Sequence, residues 1–95
     1  MTKIKNLNGT GAERYKDPPK GYSSWKSWWE AQAGRSFSTC SCSGCTSKAA
    51  VGAHVQKSGS ADKKWYIVPL CSACNHKSSD EVFEVRDADL VAINS

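Results

Sequence analysis

Two short stretches decide how this chain folds: Cys40-Ser41-Cys42-Ser43-Gly44-Cys45 and, after 25 intervening residues, Cys71-Ser72-Ala73-Cys74. A C-x2-C turn can place two thiolates about 2.3 Å from one ion, and two such turns close a tetrahedron. Thiolate-rich tetrahedral sites select Zn²⁺ over hard cations. The downstream pair is unambiguous. Upstream, Cys42 with Cys45 gives C-x2-C and Cys40 with Cys45 gives C-x4-C, so one of Cys40 and Cys42 is surplus. The expected ligands of a structural Zn²⁺ are therefore Cys40 or Cys42, Cys45, Cys71 and Cys74. The competing reading is a redox pair at Cys71 and Cys74. His54 and His76 are the only histidines. Either is a possible substitute ligand, but His76 lies two residues past Cys74 and would strain the site.

The rest of the composition explains why such a staple is needed. Ninety-five residues make one domain. Leu, Ile, Val and Phe number only 14. That is about 15% of the chain, below the roughly 20% usual for a self-sufficient core. Four Trp compensate in part. A chain this small and core-poor calls for a disulfide, a metal or a partner. The first residues, MTKIKNLNGTGAERYK, hold no apolar run of the signal-peptide kind. No stretch approaches the 18 or so apolar residues of a membrane span. The expected compartment is the cytoplasm, where clustered thiols bind metal more often than they pair. These features argue against a secreted disulfide knot, a membrane protein and a large multidomain enzyme. Charge is uneven: residues 1–35 carry a net +4, residues 36–77 another +4, and residues 78–95 a net −4. A basic body of this kind is compatible with nucleic-acid binding, and equally with simple solubility.

Outward from the cysteines, the polar residues 1–20, ending in Pro18-Pro19, read as a flexible arm. Residues 21–95 read as a single zinc-stabilised domain. Trp25, Trp28 and Trp29 fall on one face of a short helix that Ser23 or Ser24 can cap and Gly34 can stop. That face is expected to be core. Val51–Val55 and Trp65–Val68, the latter ended by Pro69, read as two strands of a hairpin with a long polar loop. Cys74–Ser79 can open a short helix. Residues 80–85 alternate like a strand, and residues 90–93 form a weaker one. Eleven of the 14 Leu, Ile, Val and Phe lie from Val51 onward, so the core is expected there, with the Trp helix closing it.

Cluster, hairpin, cluster is the order of a treble-clef zinc fold, and here the chain resembles the HNH endonuclease superfamily. The resemblance rests on Cys42/Cys45, Gly52-Ala53-His54-Val55, Ile67-Val68-Pro69-Leu70-Cys71 and Cys74-Asn75-His76-Lys77. It covers about residues 40–79. It implies a small α+β treble-clef domain (zinc knuckle, β-hairpin, short helix) preceded by the Trp helix. It also implies His54 as a general base and Asn75 as a ligand of a catalytic Mg²⁺ or other divalent ion. Two positions depart from the pattern. Ala53 stands where a metal-ligating Asp, Glu or His is usual, and Tyr66 where an Asn orients the base. A methyl cannot ligate, and a phenol cannot replace that amide, so the divalent ion loses its hold. His54 stays open to three readings: a packed hairpin residue, a nucleic-acid contact, or a working base. Lys57, Lys63 and Lys64 are candidate phosphate contacts. The leading expectation is a catalytically degenerate HNH-like zinc module that binds nucleic acid or a nucleic-acid-associated partner. The alternatives are an active metal-dependent nuclease and a protein-interaction module using the Trp face.

Overall fold

Ser24 sets where the first helix begins. Its hydroxyl accepts the Ser27 N–H at 3.1 Å, while the Ser27 hydroxyl answers the Ser24 N–H at 3.2 Å. This capping box opens α1 (Trp25–Ala33), and Gly34, at a left-handed φ of 73°, closes it. The computed structural model describes residues 1–7, 18–59, 64–77 and 81–93. Among these, β1 (Thr2–Asn6), β2 (Val51–Lys57), β3 (Tyr66–Leu70), β4 (Val82–Val85) and β5 (Val91–Ala92) form one sheet. Its order is β4-β1-β2-β3-β5, and every neighbouring pair is antiparallel. A single-turn helix, α2 (Ser72–Asn75), follows β3, and a 3-10 turn spans Asp87–Asp89. The chain is thus a small α+β protein. No helix among the described residues is long and apolar enough to cross a membrane.

The hairpin of β2 and β3 is the expected one, with His54 opposite Ile67 and Ala53 opposite Val68. Strict alternation then sorts side chains onto two faces. On one face Ile4, Ala53, Val55, Tyr66, Val68, Leu70, Phe83 and Val85 pack with Cys40, Cys71 and Cys74. On the other, Ile67 and Ile93 pack under Trp25, Trp28 and Trp29. Trp29 is fully buried, and its indole N–H donates to the Asp89 carbonyl at 2.9 Å. Helix α1 approaches closely because β2 carries a glycine there. A Cβ on Gly52 would lie 3.0 Å from Ile67 Cγ2 and 3.1 Å from the Trp25 backbone. The Trp stripe is core as expected, so it is not a free docking face.

Three expectations need correction. The first concerns the arm. Residues 2–6 are a strand in the interior of the sheet order, paired on both sides, with Ile4 and Asn6 wholly buried. A strand with one apolar residue gains little by itself; cross-strand partners supply its stability. Residues 8–17 of the expected arm lie outside the described residues. The second concerns Pro69, which does not end β3. Its carbonyl turns away from β2 to accept the Ser41 N–H at 2.9 Å. In an antiparallel strand N–H and C=O of a residue point the same way, so the missing N–H costs no bond to β2. The third is a shorter helix than Cys74–Ser79 suggested: α2 starts at Ser72 and ends at Asn75.

Candidate metal centre

The upstream cysteines sit on a tight ribbon. Thr39 and Lys48 bridge its base, and the Cys40 N–H donates to the Ser47 carbonyl at 2.8 Å. Its tip turns at Gly44, where φ is 78°, and the Cys45 N–H donates to the Cys42 carbonyl at 3.0 Å. The downstream cysteines flank the start of α2: Cys71 is its N-cap and Cys74 lies within it. The fold brings the two segments together. The sulfurs of Cys40, Cys45, Cys71 and Cys74 all lie within 4.8 Å of one another. Cys45 and Cys71 Sγ are 3.7 Å apart. Tetrahedral ligands at about 2.3 Å from an ion stand about 3.8 Å from each other, so the four sulfurs are spaced to hold one metal ion.

Of the two upstream candidates the structure places Cys40 in this group, with the x4 spacing, and leaves Cys42 beside it. The reason is backbone pairing. Cys42 forms an antiparallel bridge with Val85, and Ser43 N–H donates to the Glu84 carbonyl at 2.8 Å, so this part of the ribbon is held against β4. Cys40 is turned inward and is 1% exposed. The Arg86 guanidinium donates to the Thr39 carbonyl at 2.8 Å and reaches the Cys40 carbonyl at 3.4 Å.

The thiols do not share one electrostatic environment. Burial pushes the Cys40 and Cys74 thiols above their ordinary range. The Ser47 backbone N–H on Cys45, opposed by some desolvation and helped by neighbouring thiols, pulls that group down to about 7. Four sulfurs at contact distance cannot all ionise without a counter-charge. A cation at their centre would supply it, and its binding would expel the protons that burial retains.

Two supports of this centre were not singled out from the sequence. Asn6, on β1, donates its amide to the carbonyls of Lys77 at 3.1 Å, Cys74 at 3.2 Å and Asn75 at 3.4 Å. Its own Oδ1 is buried without a partner. Asp89 is 3% exposed and is held between Arg35 and Arg86. Burial raises its pKa, but the two guanidiniums outweigh this and keep it below the usual 3.8. With Ser41 Oγ accepting the Arg86 N–H at 3.1 Å, this network ties α1, the cysteine ribbon and the 3-10 turn together. The sequence signal was Arg86, the single base in an acidic segment. Asn6 gave none.

The carried-over catalytic residues are not brought together. His54 lies on the face that α1 covers. Its ring stands edge-on to Trp25 at 5.1 Å and to Trp65 at 6.1 Å. Asn75 belongs to α2, whose Cys74 packs on the opposite face. His54 thus faces α1, while Cys74, the neighbour of Asn75 in α2, faces the other side of the sheet. Ala53 and Tyr66, the two departures, are both buried on the cysteine face. His76 is exposed at the end of α2 and lies outside the four-sulfur group. Lys57 holds its ammonium 5.1 Å from the Tyr66 ring, away from the His54 face. Lys64 is exposed, and Lys63 lies outside the described residues. Comparison of the chain with protein-family models, curated proteins and solved structures finds no match.

Proposed function

We propose that the chain is a zinc-stabilised, treble-clef-like module related in plan to HNH domains, which binds nucleic acid or a nucleic-acid-associated partner and does not cleave it. The observation that carries this reading is the four-sulfur cluster. An all-thiolate tetrahedral set favours Zn²⁺. The order of cysteine ribbon, β2–β3 hairpin and α2 supports the treble-clef description. The zinc is structural: with all four positions taken by sulfur, none remains for substrate or a reactive water.

The nuclease alternative is disfavoured by the placement of His54. A general base must reach the water it activates, and a divalent ion must sit on the same phosphate. His54 instead packs against the Trp25 and Trp65 indoles, on the face opposite to Cys74, the neighbour of Asn75. Nucleic-acid binding draws support from charge. Asp89, Glu81 and Asp87 are engaged by Arg35 and Arg86, by Lys77, and by the N-terminal ammonium. Lys3, Lys5, Lys20, Lys26 and Lys48 are exposed, with no ion pair among the described residues. Of these acids only Asp89 is buried, while Glu81 and Asp87 are paired at the surface.

The test is one purified sample in three assays. Elemental analysis should give one zinc per chain. Binding to a labelled DNA or RNA duplex should weaken steeply with salt. Supercoiled plasmid with Mg²⁺ or Mn²⁺ should stay intact. Zinc-free protein with a cooperative unfolding transition refutes the first part. Salt-insensitive or absent binding refutes direct nucleic-acid binding. Nicking that His54→Ala abolishes refutes the third.

A further inference from the structure

Helix α1 occupies only part of its face of the sheet. It packs on β2, β3 and β5. The same face continues over β1 and β4. Ile4 and Phe83 point to the cysteine side. Lys3 and Lys5 on β1, and Val82 and Glu84 on β4, therefore point to the α1 side. The register sets Lys5 beside Val82 and Gln56, and Lys3 beside Glu84. Lys3, Lys5 and Glu84 are exposed, and Val82 is 48% exposed. Where this open part meets the helix, His54 and Trp65 are half-buried, with their rings edge-on at 6.1 Å. Tyr66 pairs with Val55, so Trp65 comes next to Gln56. One row thus crosses the sheet: Val82, Lys5, Gln56, Trp65. Lys5 and Trp65 are two strand spacings apart, about 10 Å.

We propose that this open part of the sheet is the nucleic-acid surface and that it takes a single strand: a base stacks on Trp65, and the phosphates run over Lys5 and Lys3. The proposal rests on the nucleic-acid reading above. A base offers its ring face to a side chain only when it is unstacked, and an aromatic beside a cationic strand suits such a base. Recognition of a duplex instead needs an element that enters a groove. Among the described residues none is fitted for this. Helix α1 buries its Trp stripe against the sheet and carries a single cation, Lys26, and α2 is one turn long. Charge points the same way. Lys3 and Lys5 have no ion pair among the described residues. Glu84 is the one acid that the register places beside them, and the row through Lys5 and Trp65 holds none.

The experiment titrates the full chain, by fluorescence anisotropy, against a short labelled oligothymidine, an oligouridine of the same length and a DNA duplex of that length, over a range of salt. Both single strands should bind at least about tenfold more tightly than the duplex, because only they can stack a base on Trp65. Trp65→Ala should weaken single-strand binding about tenfold or more. Lys3→Gln combined with Lys5→Gln should also weaken it and should lower the salt slope by about 1.4, two phosphate contacts at about 0.7 each. Lys20→Gln combined with Lys48→Gln removes the same charge outside the five strands and should leave the slope near that of wild type. A duplex bound as tightly as the single strands overturns the proposal. So does an equal loss in the two lysine pairs, or wild-type affinity in a folded Trp65→Ala. Lys3 and Lys5 are exposed, so their variant keeps the fold and decides the matter even if Trp65→Ala does not fold. Protein that binds none of the three probes refutes the nucleic-acid reading, and this proposal with it. Salt-sensitive binding that the lysine pair on β1 leaves unchanged refutes this proposal alone.

Discussion

Asn6→Ala tests whether the N-terminal strand is part of the metal centre. Asn6 is wholly buried, and its amide reaches three carbonyls of the turn that carries Cys74. The loss is unequal among them. The Cys74 carbonyl keeps the Lys77 N–H at 3.2 Å, so it stays paired. The bond to Asn75 is long, and its loss costs little. The Lys77 carbonyl loses a good 3.1 Å partner. A net hydrogen bond contributes about 1 kcal/mol, and a stranded buried acceptor costs about 1–3 kcal/mol. Removing the partnerless Oδ1 returns part of this. The expected loss is about 2–3 kcal/mol. For a domain of this size that is a melting shift of roughly 10–20 °C. The assay is thermal unfolding by circular dichroism in zinc-replete buffer, with chelator competition run in parallel. Zinc should also leave sooner, because the turn holding Cys74 has lost its tether. Lys5→Ala, one position away but exposed, serves as control and should stay within about 0.5 kcal/mol. If Asn6→Ala melts within about 2 °C of wild type and holds zinc as tightly, the strand does not lock the centre and the argument fails.

Other outcomes follow from the same geometry. Cys40→Ser should lose zinc and unfold, while Cys42→Ser should keep one zinc per chain; equal damage by the two would mean the x4 ligand set is wrong. Gly52→Ala should destabilise by about 1–3 kcal/mol in denaturant, because the added methyl meets helix backbone, and unchanged stability would contradict the close approach of α1. Zinc affinity should fall with decreasing pH, since burial favours the protonated Cys40 and Cys74 of the metal-free site, by about tenfold per pH unit for each proton released; a flat profile between pH 8 and 6, read by chelator competition, would refute proton-coupled binding by these thiols. The folded Asp89 carboxyl is held below its unfolded value, so its contribution is present above about pH 4 and is lost as pH falls through the folded pKa; Asp89→Asn should lower stability at neutral pH and flatten this acid limb.

Much of the fold was legible because local signals agreed with tertiary ones. Capping chemistry bracketed α1 between Ser23 or Ser24 and Gly34, the structure selecting Ser24, and the Trp stripe could bury only one way. The hairpin followed from the β-branched and aromatic run before Leu70. What escaped was set by pairing rather than by composition. Thr2–Asn6 shows one apolar residue, and its inward Asn6 is satisfied by carbonyls some 70 positions away. The choice of Cys40 over Cys42 was invisible for the same reason. Both spacings can reach an ion, and it is the bridge from Cys42 to Val85 that turns Cys40 inward.

The same pairing logic accounts for the departures from the HNH pattern. Side chains alternate along β2, so Ala53 and His54 face opposite sides of the sheet. The residue on the cysteine face is a methyl, and the residue with the imidazole faces α1. Restoring a carboxylate at position 53 would therefore place it under the sulfurs, on the wrong side of the sheet for His54. A slip of one residue between β2 and β3 would exchange the two faces, but it would also bring Gly52, His54 and Gln56 onto the cysteine face in place of Val51, Ala53 and Val55. Gly52 and the Trp25 backbone lock the present register by their close fit. The chain thus has the cysteine, hairpin, cysteine order while its packing commits His54 to the Trp layer, and building a nuclease site on it would need more than substitutions at Ala53 and Tyr66.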